Sequence, residues 1–191
     1  MKPIILASTS PRRKEIFSKL GLPFQVRESN YEEDMNLEMP PEELAEYLSA
    51  GKAKAVIGQY ANSIIIAADT FVAYNDRPLG KPKTPERAKE ILEMLSGKEH
   101  QIITGVTIIE TGSGKSRSFH ETTRIFMAEL SSEIIDAYIK TGEPMDKAGA
   151  YALQEIGALL VEKIEGDFFA ACGLPLRRLA QELKGFGIHV L

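Results

Sequence analysis

Residues 63–74 read SIIIAADTFVAY, and the first six of them are nearly all apolar. An apolar run of this length is typical of a central strand that is buried on both faces. We expect the strand to stop at Asp69-Thr70, with residues 71–74 continuing extended to a turn at Asn75-Asp76. Periodicity around this stretch predicts an alternating α/β chain.

The segments on either side alternate between strand-like and helical patterns. On the N-terminal side we predict a strand at residues 4–7, a helix from Pro11 to Gly21, a strand at 24–26 and a helix from Pro41 towards Gly58. On the C-terminal side we predict a helix from Thr84 to Gly97, a hairpin of residues 100–110 and 115–127, a helix from Ser131 or Ser132 to Gly142, strand-like runs through 159–161, a helix at about 175–184 and a closing strand at 186–190.

Composition narrows the class of protein. A length of 191 residues suggests one domain, residues 1–191, or two lobes that share a core. The net charge is −4, and a nucleic-acid polymer normally requires a basic face, whereas a small polyanion needs only a few converging cations. No apolar run is long enough for a membrane span, the N-terminus turns polar too soon for a secretory signal, and Cys172 is the lone cysteine. We expect a cytoplasmic protein without membrane or nucleic-acid partners.

Residues 8–13, STSPRR, combine a predicted strand end with a helix N-terminus. Arg12 and Arg13 fall in the first helical turn, where cations oppose the helix macrodipole. A bound anion would reverse that balance, because free N–H groups, the hydroxyls of Ser8 and Ser10 and the arginines would all point at it. The alternative is a solvated helix face whose arginines pair with Glu15.

Two carboxylates are candidates for metal or base chemistry. Asp69 follows a buried strand, and ligands of open α/β sheets gather beyond the carboxyl ends of strands. Glu33 lies in an acidic segment that could supply a second oxygen ligand for Mg²⁺ or Mn²⁺. The alternatives are a cap on the following turn for Asp69 and a solvated loop for Glu33.

Three lysines are further candidates, and each is a weak signal alone. Lys81 is held in the rigid turn Gly80-Lys81-Pro82. Lys52 falls late in a helix, where a positive charge also favours stability. Lys147 precedes the small-residue stretch 148–151, AGAY, which permits close approach of a ligand or another backbone.

Taken in order, these segments resemble the Maf family of nucleotide pyrophosphatases over nearly the whole chain. The matching pieces are residues 6–13 (LASTSPRR), Glu33, 52–53 (KA), 68–70 (ADT), 80–82 (GKP), 104–106 (TGV), 146–151 (DKAGAY), Gln154 and 173–176 (GLPL). Each piece is unspecific, but the ordered series is specific.

The resemblance implies an elongated mixed sheet flanked by helices, with two lobes around a central cleft, similar to the inosine-triphosphate pyrophosphatase fold. It implies hydrolysis of a nucleoside triphosphate to the monophosphate and pyrophosphate with a divalent metal, Mg²⁺ or Mn²⁺, held by Glu33 and Asp69. Asp69 matches the family's proton acceptor, and Ser8, Ser10, Arg13, Glu33, Lys52 and Lys81 match its polar cleft residues. The resemblance is compatible with a homodimer.

Arg12, Thr70 and Gln154 occupy the positions that divide the family by substrate, and they resemble the branch acting on dTTP and UTP. One alternative is an enzyme that removes modified nucleotides. Another is a non-enzymatic regulator of septum formation, for which loss of Asp69 or Lys81 would be expected; both are present.

Overall fold

A computed structural model describes residues 2–35 and 37–191, and its strands form one mixed sheet. Within these residues the strands are β1 (Ile4–Leu6), β2 (Gln25–Val26), β3 (Ile64–Tyr74), β4 (Arg77–Leu79), β5 (Glu99–Glu110), β6 (Ser116–Met127) and β7 (Val161–Glu165). The order across the sheet is β2-β1-β3-β5-β6-β7, and β4 pairs with the end of β3. The β1 pairings with β2 and β3 are parallel and the others antiparallel.

Helices flank this sheet, and most begin where the sequence predicts them. They are α1 (Pro11–Ser18), α2 (Pro41–Val56), α3 (Pro85–Leu95), α4 (Ser132–Lys140), α5 (Phe168–Ala171) and α6 (Leu176–Lys184). The hydroxyls of Ser10, Thr84 and Ser131 accept backbone N–H groups at the starts of α1, α3 and α4. These caps satisfy donors that a helix N-terminus otherwise leaves unpaired.

Helix α2 lies directly on the centre of the sheet. Gly105 on β5 permits a close approach of this helix, because a Cβ there would overlap the backbone carbonyl of Ala45. The apolar side chains Leu44 and Leu48 are buried in this interface against Phe71 and Ile103. This packing brings the second half of α2, including Lys52, close to β3.

Three predicted features differ from the structure. Strand β3 does not stop at Asp69-Thr70, because β5 pairs with it continuously from Ile64 to Ala73. The predicted closing strand 186–190 is absent; its backbone instead forms turns at the end of α6, where the Ile188 N–H donates to Leu183. The strand-like run at 159–161 is mostly a 3₁₀ turn, Ile156–Leu160, before β7.

The buried apolar residues lie on both faces of β3. Ile64 and Ile66 join the larger cluster with α1 and α3, whereas Ile65 packs with Val56 of α2. Both faces are therefore covered by helices, as the composition of this strand predicts. Within the described residues, no helix is long and apolar enough to cross a bilayer.

Candidate active site

A cavity of about 300 Å³ opens beside the middle of β3. It is formed by the start of α1, Lys52 of α2, Asp69 and Thr70 of β3, the segment 146–154 and residues 171–173. Strand β1 pairs with β3 only as far as Ile66, so the next part of β3 faces this cavity on that side. Asp69 therefore lies past the end of the neighbouring strand β1, although it is in the interior of β3.

Asp69 and Glu33 converge on the ammonium group of Lys52. The Lys52 Nζ donates to Asp69 Oδ1 and lies 2.6 Å from Glu33 Oε1. The side chains of Asp69 and Lys52 are 5% and 10% exposed, whereas that of Glu33 is 43% exposed. Two predicted metal-ligand carboxylates are therefore adjacent, and a lysine links them.

Arg13 is held by groups from three parts of the chain. Its Nε donates to the carbonyl of Gly173 at 3.0 Å, and its two terminal nitrogens donate to Thr70 Oγ1 at 3.0 Å and Ser8 Oγ at 3.4 Å. Burial lowers the pKa of the Arg13 guanidinium below its ordinary value, and the nearby charges of Asp69 and Glu33 oppose that shift. The solvated-face alternative for this arginine is therefore wrong.

The other predicted cations also line the cavity. Arg12 and Lys81 are exposed and line the cavity, as does the exposed Gln154. The Lys147 side chain is only 13% exposed and pairs with Asp146 at 2.9 Å and Glu155 at 3.5 Å. Hydrogen bonding by Lys147 lowers the pKa of Asp146, with a smaller contribution from Lys81.

Ser8 and Ser10 adjoin the same site at the start of α1. Ser10 lines the cavity, and both serines border a neighbouring groove that also contains Arg13 and Lys52. All the predicted site residues thus fall in one region, with Glu33 reaching it through Lys52.

Thr104 and Tyr151 lie in segments that the sequence analysis singles out, but it predicts no role for either of them. Thr104 of β5 bonds to Thr70 Oγ1 at 2.8 Å and donates to the Ala170 carbonyl at 2.7 Å. Tyr151, which lines the cavity, bonds through its hydroxyl to Nε2 of the buried His100 at 2.7 Å. These partners are 34 to 66 residues apart, so no local pattern identifies them.

The inner wall of the cavity is apolar. Val72, Ile102, Leu153 and Cys172 line it beside Tyr151. Cys172 is buried, and burial raises the pKa of its thiol to about 11. A thiol of this kind is protonated at neutral pH and is a poor nucleophile. The cavity therefore joins a cationic, carboxylate-containing end to an apolar wall.

Among residues 2–35 and 37–191, no three His, Cys, Asp or Glu side chains form a metal-binding group. Glu33 and Asp69 are thus a pair of oxygen donors that require further ligands from outside the protein to complete a coordination shell. Mg²⁺ characteristically binds one or two carboxylates together with substrate phosphates and water. The donor set fits a metal that a phosphate ligand helps to hold.

Comparison with known proteins gives matches over nearly the whole chain. The sequence model described as "Maf-like protein" matches residues 3–186. The chain is 49% identical over 191 residues to a dTTP/UTP pyrophosphatase of Methanosarcina mazei, covering 100% of this chain and 97% of the relative. It is 49% identical to a dTTP/UTP pyrophosphatase of Geobacillus sp., covering 98% of this chain and 100% of the relative.

Solved structures with the same fold are much less similar in sequence. The Ham1 proteins of Coxiella burnetii and Staphylococcus aureus each align with a TM-score of 0.54 at 17% and 18% identity. Each alignment covers 97% of this chain and 100% of the other. The predicted α/β class, with a mixed sheet flanked by helices, is confirmed.

Proposed function

This chain belongs to the Maf family, and on that premise we propose that it hydrolyses dTTP and UTP to the nucleoside monophosphate and pyrophosphate. One observation carries the proposal: cationic side chains converge on a cavity around a buried carboxylate in a chain whose net charge is −4. These cations are Arg12, Arg13, Lys52, Lys81 and Lys147. A triphosphate supplies the negative charge that such a site requires.

In the proposed reaction, Asp69 orients a water molecule and accepts its proton. The water oxygen attacks the α-phosphorus, and the bond from that phosphorus to the bridging oxygen of the β-phosphate breaks. The electron pair of that bond leaves with pyrophosphate. The location of Asp69 supports this assignment, because its carboxylate lines the cavity beside Lys52, among the cations that would hold the phosphates.

Glu33 and Asp69 are the residues that would hold Mg²⁺ or Mn²⁺. When bound, the metal supplies positive charge against the phosphate oxygens and favours ionisation of bound water. Arg13, Lys52 and Lys81 would neutralise charge on the phosphates as pyrophosphate leaves. The fixed position of Arg13, with three protein acceptors, supports its part in this role because a preorganised donor needs little reorganisation during the reaction.

Selectivity for pyrimidines is assigned to Arg12, Thr70 and Gln154. The Gln154 side chain is exposed at the cavity and can offer a donor and an acceptor to a base edge. Thr70 is instead engaged by Arg13 and Thr104, which favours an indirect role through the position of the guanidinium.

We also assign the protein to the cytoplasm and infer that it forms a homodimer. The lone protonated thiol supports a reducing compartment. Two exposed apolar side chains, Ile156 at 51% and Leu159 at 83%, lie on one turn, and we place the contact between the two copies there. Light scattering coupled to gel filtration would contradict the dimer by giving the mass of one 21.1 kDa chain.

The reaction is tested by incubating purified protein with a panel of normal and modified nucleotides and Mg²⁺ or Mn²⁺. We expect pyrophosphate, not orthophosphate, from dTTP and UTP, and loss of activity in EDTA. Orthophosphate as the first product would contradict the proposed bond cleavage. Activity confined to modified nucleotides would contradict the proposed substrates.

The role of Asp69 is tested by Asp69→Asn, which is nearly isosteric. We expect turnover to fall by at least about 10²-fold, the usual scale for a positioned base. Asp136→Asn is the matched control, because Asp136 lies on α4 outside the cavity and pairs with Lys89 of α3. Near wild-type turnover in Asp69→Asn would show that Asp69 is neither base nor essential ligand.

A further inference from the structure

The carboxylate of Glu143 joins the two ends of the segment that carries Lys147 and Gln154. Its Oε2 accepts the Ile156 N–H at 2.9 Å, and its Oε1 accepts the Gly157 N–H at 2.9 Å. The Tyr138 hydroxyl of α4 donates to the same Oε1 at 2.7 Å. The Glu143 side chain thus closes residues 144–155 into a loop, which the ion pair of Lys147 with Glu155 at 3.5 Å also spans, and we call them the 144–155 loop.

The surroundings of Glu143 make this closure specific. Tyr138 is buried, and burial together with the adjacent Glu143 carboxylate raises the pKa of its hydroxyl, so that it remains a donor. Gly157 is packed so closely that a Cβ would lie 2.6 Å from the Tyr138 hydroxyl oxygen and 2.8 Å from the Ala152 nitrogen. Hydrogen bonds to a carboxylate are stronger than those between neutral groups. The closure therefore constrains the end of the loop that carries Gln154.

The middle of the loop is held by different contacts. The Gly149 N–H donates to the Gly80 carbonyl at 3.3 Å, next to Lys81, and a Cβ at Gly149 would lie 2.6 Å from the side chain of Val72. Tyr151 is fixed by His100. Loss of the Glu143 contacts would therefore loosen the ends of the loop while leaving its middle attached to the sheet.

We propose that Glu143 is a positioning residue that sets nucleotide selectivity by holding the 144–155 loop closed. The inference rests on the proposed function, because it concerns how Gln154 and Lys147 meet the nucleotide. None of the hydrogen bonds of Glu143 involves Asp69, Lys52 or Glu33, and Glu143 is not among the residues that line the cavity. It acts on recognition through the loop and leaves the hydrolytic groups in place.

The test is Glu143→Gln, which keeps the shape of the side chain but removes its charge and one oxygen acceptor. We expect the KM for dTTP to rise about tenfold and the preference for dTTP over purine triphosphates to narrow, with kcat reduced less than about threefold. Tyr138→Phe is the matched control, since it removes only the neutral donor and leaves both backbone bonds. It should retain the wild-type ranking of nucleotides.

Amide hydrogen exchange gives a second readout that does not depend on hydrolysis. The Ile156 and Gly157 amides should exchange at least about tenfold faster in Glu143→Gln than in the wild type, while those of β3 stay unchanged. Should Glu143→Gln fail to fold, Glu143→Asp keeps the charge but is one methylene too short to reach both amides, and it carries the same expectations.

The two proposals fail in different ways. Calorimetry of dTTP binding in EDTA measures the effect of Glu143 on affinity without requiring hydrolysis. If the wild-type protein released no pyrophosphate, that result would overturn the proposed function and leave the positioning role open to this binding test. Faster exchange at Ile156 and Gly157 with an unchanged affinity and nucleotide ranking would overturn the positioning role. So would unchanged exchange at both amides in a folded variant.

Discussion

At the scale of single residues, Lys52 is the group on which the proposed metal site depends. Its ammonium contacts both Glu33 and Asp69, so it already neutralises the carboxylates that a cation would use. We therefore expect the protein without nucleotide to bind a divalent metal only weakly. A metal that arrives with the phosphates of a nucleotide brings additional oxygen ligands and can compete with the lysine.

This competition predicts the behaviour of Lys52→Gln. Without metal the variant should be less stable by about 3 kcal/mol, because the buried Asp69 carboxylate loses its charged partner. It should bind Mn²⁺ without nucleotide at least about tenfold more tightly than the wild type, measured as the rise in melting temperature with metal concentration. Lys81→Gln removes an exposed cavity cation and is the control; equal Mn²⁺ affinity in all three proteins would refute the competition.

His100 determines a second residue-scale prediction, which concerns stability against pH. Burial lowers its pKa to about 4 from an ordinary value of 6.5. Between these pH values the unfolded chain binds a proton that the folded chain does not, so the stability of the folded protein falls as the pH drops from 6.5 to 4. Below pH 4 both states are protonated at His100, and this group causes no further change in stability. The full loss is about 3 kcal/mol.

His100→Gln isolates this contribution, because it keeps an acceptor for the Tyr151 hydroxyl but does not titrate. Chemical denaturation of both proteins at intervals from pH 4 to 7 gives the difference in their free energies of unfolding. We expect this difference to change across the window in the direction that favours the variant at low pH. A difference that stays constant with pH would mean that His100 does not keep the depressed pKa.

At the scale of elements, the start of α1 shows what the sequence could and could not predict. The strand end, the Ser10 cap and Pro11 are local signals, and they predict the start of the helix correctly. The hydrogen-bond partners of Arg13 are not local, because Gly173 lies 160 residues away and Thr70 lies 57 residues away. Periodicity shows which side chains face the core but not which distant backbone group a buried polar side chain meets.

The errors in the fold have the same origin. Phe186, Ile188 and Val190 alternate like a strand, and all three do pack against the core. Their backbone nevertheless follows α6 through turns, with Gly187 at a φ of 74°. Strand β3 is likewise longer than expected because β5 continues beside it past Asp69, and the register of an antiparallel partner is not visible in the sequence of one strand.

The two arginines at the start of α1 have different surroundings, and this difference can be tested. The helix dipole alone would make both replacements by Gln neutral or slightly stabilising. The structure changes that expectation for Arg13: Arg13→Gln should cost about 1–3 kcal/mol of stability, since its partners are left without their donors. It should also raise the KM for every triphosphate.

Arg12→Gln serves as the matched comparison within the same turn. Arg12 is exposed and lines the cavity, so the apo protein should remain as stable as the wild type while the ranking among bases changes. Thermal unfolding and steady-state kinetics of both variants measure the two effects. Unchanged KM values in both would contradict the phosphate site at this helix.

At the scale of the whole molecule, the site draws on segments from nearly the full length of the chain. Arg13 comes from α1, Lys52 from α2, Asp69 from β3, Lys147 from the 144–155 loop and Gly173 from the turn before α6. The hydrogen bond from Arg13 to Gly173 joins segments near the two ends of the sequence, and the ion pair of Lys52 with Asp69 joins α2 to β3. A ligand that bridges them should therefore stabilise all of these segments together.

This arrangement predicts one cooperative unfolding transition, as expected for a single domain of residues 1–191. In EDTA, where we expect no hydrolysis, dTTP at about 100 times its Kd should add about 2.7 kcal/mol of stability. For a chain of this size that corresponds to a rise in Tm of about 5–10 °C. Calorimetry, with circular dichroism as a second probe, should show the whole transition moving to higher temperature.

Two transitions, only one of which shifts with dTTP, would instead mean that the lobes unfold independently and that the nucleotide contacts only one of them. Arg13→Gln should shrink the shift without dividing the transition, because it weakens the nucleotide site and leaves the sheet that joins the segments intact.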